Sequence, residues 1–344
     1  MTAATPVLVT GGAGFIGSAL ADRLASEGQH VLVLDSLARP GVEANVAWLR
    51  ERHPRLVASV IADVRDGAAI VESVRDAVAV FHFAAQVAVT ASLADPIADL
   101  QVNLVGTVNL LEALRRRPRP LLFASTNKVY GGLQDVALEP GREAYRPQDA
   151  SLARNGLDES RTLQFCTPYG CSKGAADQYV LGYAESFGVP TAVLRMSCIY
   201  GPRQFGTEDQ GWVAHFALKA VAGEPITIYG DGRQVRDIMY IDDAVEAYLA
   251  AWRRIDRVAG QAFNLGGGPA NAVSLLSLLR HIEAELGRAV EIRLAPWRAN
   301  DQRWFVADAR RARAALGLAA PLGWQEGVTR MLQNFAARGI SVAA

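Results

Sequence analysis

The chain has 344 residues, half of them hydrophobic, with 35 basic and 35 acidic side chains and a formal net charge of zero. That length allows one large or two modest domains around a true apolar core, and the balanced charge points to neither nucleic acid nor an anionic membrane surface. The three cysteines, Cys166, Cys171 and Cys198, are few and odd in number, no apolar run reaches membrane-spanning length and no leader pattern opens the chain, so a reduced cytoplasmic setting is expected.

Pro6 to Thr10 reads as a buried strand, followed by Gly11-Gly12-Ala13-Gly14-Phe15-Ile16-Gly17 and a helical stretch from Ser18 to Glu27 closed by Gly28. Gly12, Gly14 and Gly17 satisfy GxGxxG; Gly11, Gly14 and Gly17 satisfy GxxGxxG. Residues without side chains let the backbone approach a pyrophosphate seated on a helix N-terminus. The next strand, His30 to Leu34, ends in Asp35. An acid at that place accepts hydrogen bonds from the adenosine ribose and repels a 2′-phosphate, so the expected cofactor is NAD; Arg39 is a mild signal the other way.

Leu56 to Ala62 is the third strand, ending at Asp63, which either meets the adenine amino group or caps the helix from Asp66 to Val78. Ala79 to Phe83 is the fourth, followed by Ala84-Ala85-Gln86, small enough to line the cofactor's phosphates and ribose. Asp95 to Arg117 reads as one helix burying Leu100, Leu104, Val108 and Leu111; Asn103 on it is either polar support for the site or an exposed asparagine. Arg119 to Ala124 is the fifth strand, and Ser125-Thr126-Asn127-Lys128-Val129-Tyr130-Gly131 leaves its carboxyl end, where open parallel sheets bind ligands. Thr126 is thereby expected at a substrate hydroxyl.

Gly131 to Phe165 reads as irregular and is expected to border the cleft. Tyr169 and Lys173 then stand four residues apart on a helix running to Phe187, hence on one face. With three lysines against thirty-two arginines, a retained lysine suggests a need arginine does not meet. A lysine ammonium beside a phenol lowers the phenol's pKa, and such a phenol takes a proton from an alcohol and returns it. Pro190 to Met196 is the sixth strand. Cys198 follows, either a proton shuttle opposite Tyr169 or a packed thiol. Trp212 flanks a base or sugar, or serves as core. Ile226 to Tyr229 is strand-like, a helix runs to Arg254, and Ala262 to Gly268 is a strand and tight turn. The rest, to Ala344, reads as two or three helices with a strand at Val290 to Leu294 and a loop at Trp297 to Asp301.

The GGAGFIG loop, Asp35, the STNKVYG turn, YGCSK and Tyr200-Gly201-Pro202-Arg203 together resemble the extended short-chain dehydrogenases/reductases that epimerise and dehydrate nucleotide sugars. The STNKVYG turn, the stretch from Thr167 to Tyr179, the stretch from Ser197 to Gly206 and the run Glu208 to Val213 more narrowly resemble the CDP-paratose 2-epimerases. The resemblance implies a doubly wound parallel Rossmann sheet with a smaller, discontinuous α/β substrate-binding domain. The dinucleotide domain is expected over 1–196 and 236–264, and the nucleotide-sugar domain over 197–235 and 265–344. It implies Thr126, Tyr169, Lys173 and Cys198 as catalytic. It adds Phe15, Ile16, Ser36, Val64, Phe83, Asn103 and Ser125 to the NAD site, beside Arg39, Asp63 and the residues already read there. Gln86, Asn127, Lys128, Gln210, Trp212 and Tyr229 are assigned to the substrate, and Arg203, Arg236 and Arg303 to its diphosphate.

Dehydratases of this superfamily carry Asp-Glu where this chain has Asn127-Lys128, and related decarboxylases carry Glu at the Lys128 place, so elimination and decarboxylation are disfavoured. The implied reaction is C2 epimerisation of a CDP-linked, deoxygenated hexose through a transient ketone. A UDP-sugar 4-epimerase, a dehydrogenase releasing NADH and a non-enzymatic NAD sensor are the alternatives. No metal is expected. The helices Asp95–Arg117 and Pro168–Phe187 resemble the pair that forms a four-helix interface in relatives, implying a homodimer or tetramer.

Overall fold

The computed structural model describes residues 5–298 and 301–338. Part of the loop expected from Trp297 to Asp301, and the end of the C-terminal stretch expected to reach Ala344, lie outside the described residues.

Seven strands form the central sheet: β1 Val7–Thr10, β2 Val31–Asp35, β3 Val57–Ile61, β4 Ala79–His82, β5 Leu121–Thr126, β6 Thr191–Met196 and β7 Gln261–Leu265. Their order is β7-β6-β5-β4-β1-β2-β3, and every neighbouring pair is parallel. The central strands read as near-continuous apolar runs because both faces are covered. One face packs Leu20 and Leu24 of the helix Phe15–Ser26 together with Ala244 and Tyr248 of Ile241–Arg253. The other packs Ile70, Leu110, Leu114 and Val180. Strand order reverses between β1 and β4, which opens a crevice at the carboxyl ends of the strands.

A smaller assembly lies across that crevice. Val235–Tyr240 pairs in parallel with Cys198–Tyr200 and Trp304–Phe305 and antiparallel with Ala272–Ser274, while Ile226–Tyr229 pairs with Ile292–Ala295. Cys198, Arg236 and the segment before Trp304 are thus neighbours although widely separated in sequence. The boundary expected at 236 falls inside the strand Val235–Tyr240, which belongs to the smaller assembly; the chain returns to the main sheet only with Ile241–Arg253.

Three local expectations need correction. The helix Asp95–Arg117 is broken into Pro96–Leu100, a π-helical turn Gln101–Val105 and Gly106–Arg116. The turn is held open because Thr107 Oγ1 donates to the Asn103 carbonyl at 2.6 Å and the Asn103 side chain is committed elsewhere. Leu100, expected in the core, is 41% exposed. The stretch expected to be irregular contains a hairpin, Leu138–Pro140 with Tyr145–Pro147, and a short helix, Ala150–Asn155, capped by Asp149.

Candidate active site

The first strand delivers the glycine loop to the crevice. Gly11 has φ +68°, and a Cβ there would stand 2.5 Å from the Ala84 backbone nitrogen; one at Gly17 would stand 2.3 Å from the Gly11 carbonyl oxygen. Only glycine permits this approach of loop, helix start and β4 end, which leaves the N-terminus of Phe15–Ser26 open toward the cleft. Asp35, at the end of β2, accepts from the Ala13 backbone at 3.0 Å and the Leu37 backbone at 2.9 Å. Its carboxylate is therefore fixed at the carboxyl end of β2, where it fits the ribose of a dinucleotide. Asp63 also lines the cleft, held by two hydrogen bonds from Arg65 at 2.9 and 2.7 Å that pull its carboxyl below the usual range. Arg39 reaches over the cleft to Gln210 and the Phe205 carbonyl, tying the cofactor side to the substrate side.

The cleft, about 1040 Å³, is lined by Gly11, Gly14, Phe15, Ile16, Gly17, Asp35, Ser36, Arg39, Asp63, Val64 and the Phe83–Gln86 run. Ser125, Thr126, Asn127, Lys128, Tyr169, Lys173, Cys198, Gln210, Trp212, Tyr229 and Arg236 continue the same wall. The glycine cradle, the open helix end and the fixed acid fit a dinucleotide.

Tyr169 and Lys173 sit in the first turns of Pro168–Phe187, whose start is set by Pro168 and by Thr167 Oγ1 accepting from the Gly170 backbone. Both are buried. Burial pushes the Tyr169 phenol up to about 12, with Thr126 pulling it down and Asp99 adding to the rise. The phenol is raised rather than lowered in this arrangement, and Lys173 is not among the groups that shift it, contrary to the expectation. Its ammonium lies 4.2 Å from the centre of the Phe123 ring, and burial brings it down to about 7 while Asp177 and Asp99 hold it up. The lysine's charge is balanced by these two carboxylates and the ring face, not by the phenol.

Three assigned residues are not in the wall. Asn103 is buried; its side chain donates to the Gln86 carbonyl, Asp99 and Ser172 and accepts from the Gln86 backbone at 2.8 Å, so it is polar support. Arg203 has left-handed backbone, φ +62°, and its guanidinium stacks 3.7 Å from the centre of the Trp48 ring. Arg303 lies over Trp297 and Tyr145. Its neighbour Gln302 faces inward instead and bonds Asn127 and Lys128. Gln86 lines the cleft, but its carboxamide is spent on Ala88 and Asp99.

Arg236 is buried and paired with Asp301 at 2.9 Å; the same oxygen is 3.8 Å from Lys128 Nζ. Cys198 accepts from Trp212 Nε1 at 3.3 Å, and burial pushes its thiol up, opposed by Arg236. Asp99, Asp301 and Gln302 were not read from the sequence. Asp99 stands one helical turn before Asn103 and Gln302 just before Arg303, but only the fold shows which way they face.

Residues 7–266 match the NAD dependent epimerase/dehydratase family. The chain belongs to that family. It is 40% identical over 334 residues to the CDP-paratose 2-epimerase of Salmonella typhi, covering 94% of this chain and 97% of the relative. To the UDP-glucose 4-epimerase of Mycolicibacterium smegmatis it is 32% identical, covering 95% and 97%. Among solved structures, the UDP-glucose 4-epimerase of Thermus thermophilus in complex with NAD superposes with a TM-score of 0.80 at 32% identity, covering 96% of this chain and 99% of that one. This member of the epimerase family is an NAD-dependent sugar-nucleotide epimerase. None of its described helices is long and apolar enough to cross a membrane.

Proposed function

We propose that the protein epimerises C2 of the sugar in a CDP-linked deoxyhexose. The observation that carries this reading is the turn after β5. Beside Thr126 and Tyr169 it presents an amide, Asn127, and an ammonium, Lys128, and no carboxylic acid. Elimination needs an acid and a base at that place, whereas oxidation followed by reduction needs only the Tyr169 proton transfer. The 40% identity to a CDP-paratose 2-epimerase supports cytidine and C2.

In this mechanism Tyr169, beside Thr126 in the cleft wall, takes as phenolate the proton of the C2 hydroxyl. Bound NAD supplies the hydride acceptor and donor. Asp35 and the glycine cradle hold the dinucleotide, and Arg236 holds the substrate diphosphate, so the keto sugar turns its other face without leaving. Cys198, a thiol kept protonated by burial, donates at the second face, and the proton held by Tyr169 then passes to the Cys198 thiolate, so both groups are restored for the next cycle. The substrate part comprises 197–240 and 266–344.

The protein is assigned a homodimer through Leu93, Ile97, Leu100, Val105, Tyr179 and Phe187, large apolar side chains each more than 40% exposed on the two expected helices and the segment before them. Sedimentation at micromolar concentration checks it, and a monomer there removes that assignment.

The deciding experiment incubates the enzyme with CDP-, UDP- and GDP-hexoses in heavy and ordinary water and reads products by NMR. The expected product is the C2 epimer of the CDP-sugar with no deuterium at C2, because the hydride returns to the carbon it left. Deuterium at C2, or turnover of UDP-sugars alone, refutes the reading. In the same assay Cys198→Ala slows turnover far more than it weakens substrate binding.

A further inference from the structure

Two residues of the substrate wall meet through sulfur. Trp212 opens the helix Trp212–Ala222 and stands half-buried in the cleft wall. Its ring is T-shaped against Phe216 one turn on, with 5.7 Å between centres and 78° between planes. Its Nε1–H donates to Cys198 Sγ at 3.3 Å. An indole nitrogen only donates, so the sulfur accepts and the cysteine's own proton is not spent on Trp212. Both residues line the cleft, which leaves that proton for a group bound there. A thiol that gives up its proton here leaves a charge in a buried place, where an unpaired thiolate is costly. The charged groups facing it are Arg236 and Asp237 from the strand Val235–Tyr240 and Lys128 from the turn after β5; the two cations favour the thiolate and Asp237 opposes it. Arg236 is already paired with Asp301 at 2.9 Å, and Lys128 lies between Asp301 and Gln302. Asp237 is held by Ser197 Oγ at 2.5 Å and the Gly268 backbone at 3.0 Å. Among the described residues, Trp212 is thus the one group hydrogen-bonded to the sulfur, and such a bond strengthens when its acceptor gains charge.

We propose that Trp212 is a positioning residue: its indole N–H fixes the Cys198 sulfur in the cleft wall and steadies the thiolate that remains once Cys198 has given up its proton. The inference rests on Cys198 as the second-face acid of the proposed reaction. It differs from the role of flanking a base or sugar, and the two roles make different demands. A stacking platform needs an aromatic face, which phenylalanine also has; a donor to sulfur needs the N–H, which phenylalanine lacks.

The test compares Trp212→Phe with Trp212→Leu in the full chain with NAD bound. The substrate-free readout is the rate at which iodoacetamide alkylates Cys198, measured with Cys166→Ser and Cys171→Ser in place because those two thiols are exposed. The thiolate is the species that reacts, and iodide leaves as the carbon–sulfur bond forms. Loss of the donor lowers the thiolate fraction, so at about pH 8.5 both variants are expected to react about tenfold more slowly than the parent, equivalent to a thiol midpoint about one pH unit higher. Loss of bulk alone acts in the opposite sense, because a smaller side chain opens the way to the sulfur. Alkylation of Trp212→Phe at or above the parent rate therefore overturns the inference, and a KM raised in Trp212→Leu alone then identifies a stacking platform. In the chain with its native cysteines, kcat for CDP-paratose is expected to fall about tenfold in Trp212→Phe with KM within about twofold. Slowed alkylation with unchanged kcat upholds the hold of Trp212 on the thiolate and refutes Cys198 as the second-face acid, so the two failures are told apart. If CDP-paratose is not turned over, the substrate reading fails while alkylation still decides the role of Trp212.

Discussion

The two walls of the cleft are built differently. On the cofactor wall the glycine loop, the helix Phe15–Ser26 and Asp35 follow one another in the chain, and their contacts are short-range in sequence or lie between adjacent parallel strands. On the substrate wall, Cys198, Arg236 and Gln302 come from three distant segments gathered by the strand Val235–Tyr240. Charges on that wall are paired with one another, Arg236 and Lys128 sharing one Asp301 oxygen. A contiguous wall tolerates few changes because backbone must approach backbone; a gathered wall is varied by changing single side chains. This is how one fold keeps its cofactor while its substrates differ.

The largest break in the comparison is made where the walls meet. Tyr169→Phe removes only the ionisable oxygen, so kcat is expected to fall by roughly 10²–10⁴-fold with NAD and nucleotide-sugar binding retained. Equilibrium binding and single-turnover rates check this, and wild-type-like kcat would sink the mechanism.

The next effect isolates Lys173. Its pKa is about 7 in the fold against 10.5 for a free lysine. Between those values the unfolded chain binds the extra proton, so wild-type stability rises with pH there. The cost of burying the charge is complete below about pH 7 and relieved above pH 10.5. Lys173→Met lacks that slope. The variant is expected to be the more stable protein at pH 6, by on the order of 4 kcal/mol, with the gap closing as pH rises toward 10. Urea midpoints at each pH measure it, and a gap that widens with pH contradicts the sign.

On the substrate wall, Arg236→Ala is expected to raise KM about tenfold with a smaller change in kcat, because in the proposed reaction this buried guanidinium holds the diphosphate before and during the reaction alike. The smallest effect sharpens the contrast. Arg203→Ala and Arg303→Ala should stay within about twofold of wild type in kcat/KM, since those guanidinium groups stack on Trp48 and on Trp297 and Tyr145 outside the cleft. A tenfold rise in KM for Arg303→Ala would show that Arg303 turns inward when the nucleotide sugar binds.

The cofactor wall was legible in the sequence because each of its features is local. Buried strands read as apolar runs, the glycine spacing requires close backbone approach, and Asp35 closes the next strand. The tyrosine and lysine share a helix face by period alone, and Thr126 leaves a strand end where ligands bind. Residue periodicity carries no information on how a turn rotates or which distant carboxylate lies opposite. Left-handed backbone at Arg203, the inward face of Gln302 beside an outward Arg303, and the π-helical turn that commits Asn103 to Gln86 and Ser172 were all decided by tertiary packing. So was the partner of Lys173. The spacing puts it beside Tyr169, but Phe123, Asp177 and Asp99 set its charge, because a buried ammonium answers to whatever surrounds it in three dimensions.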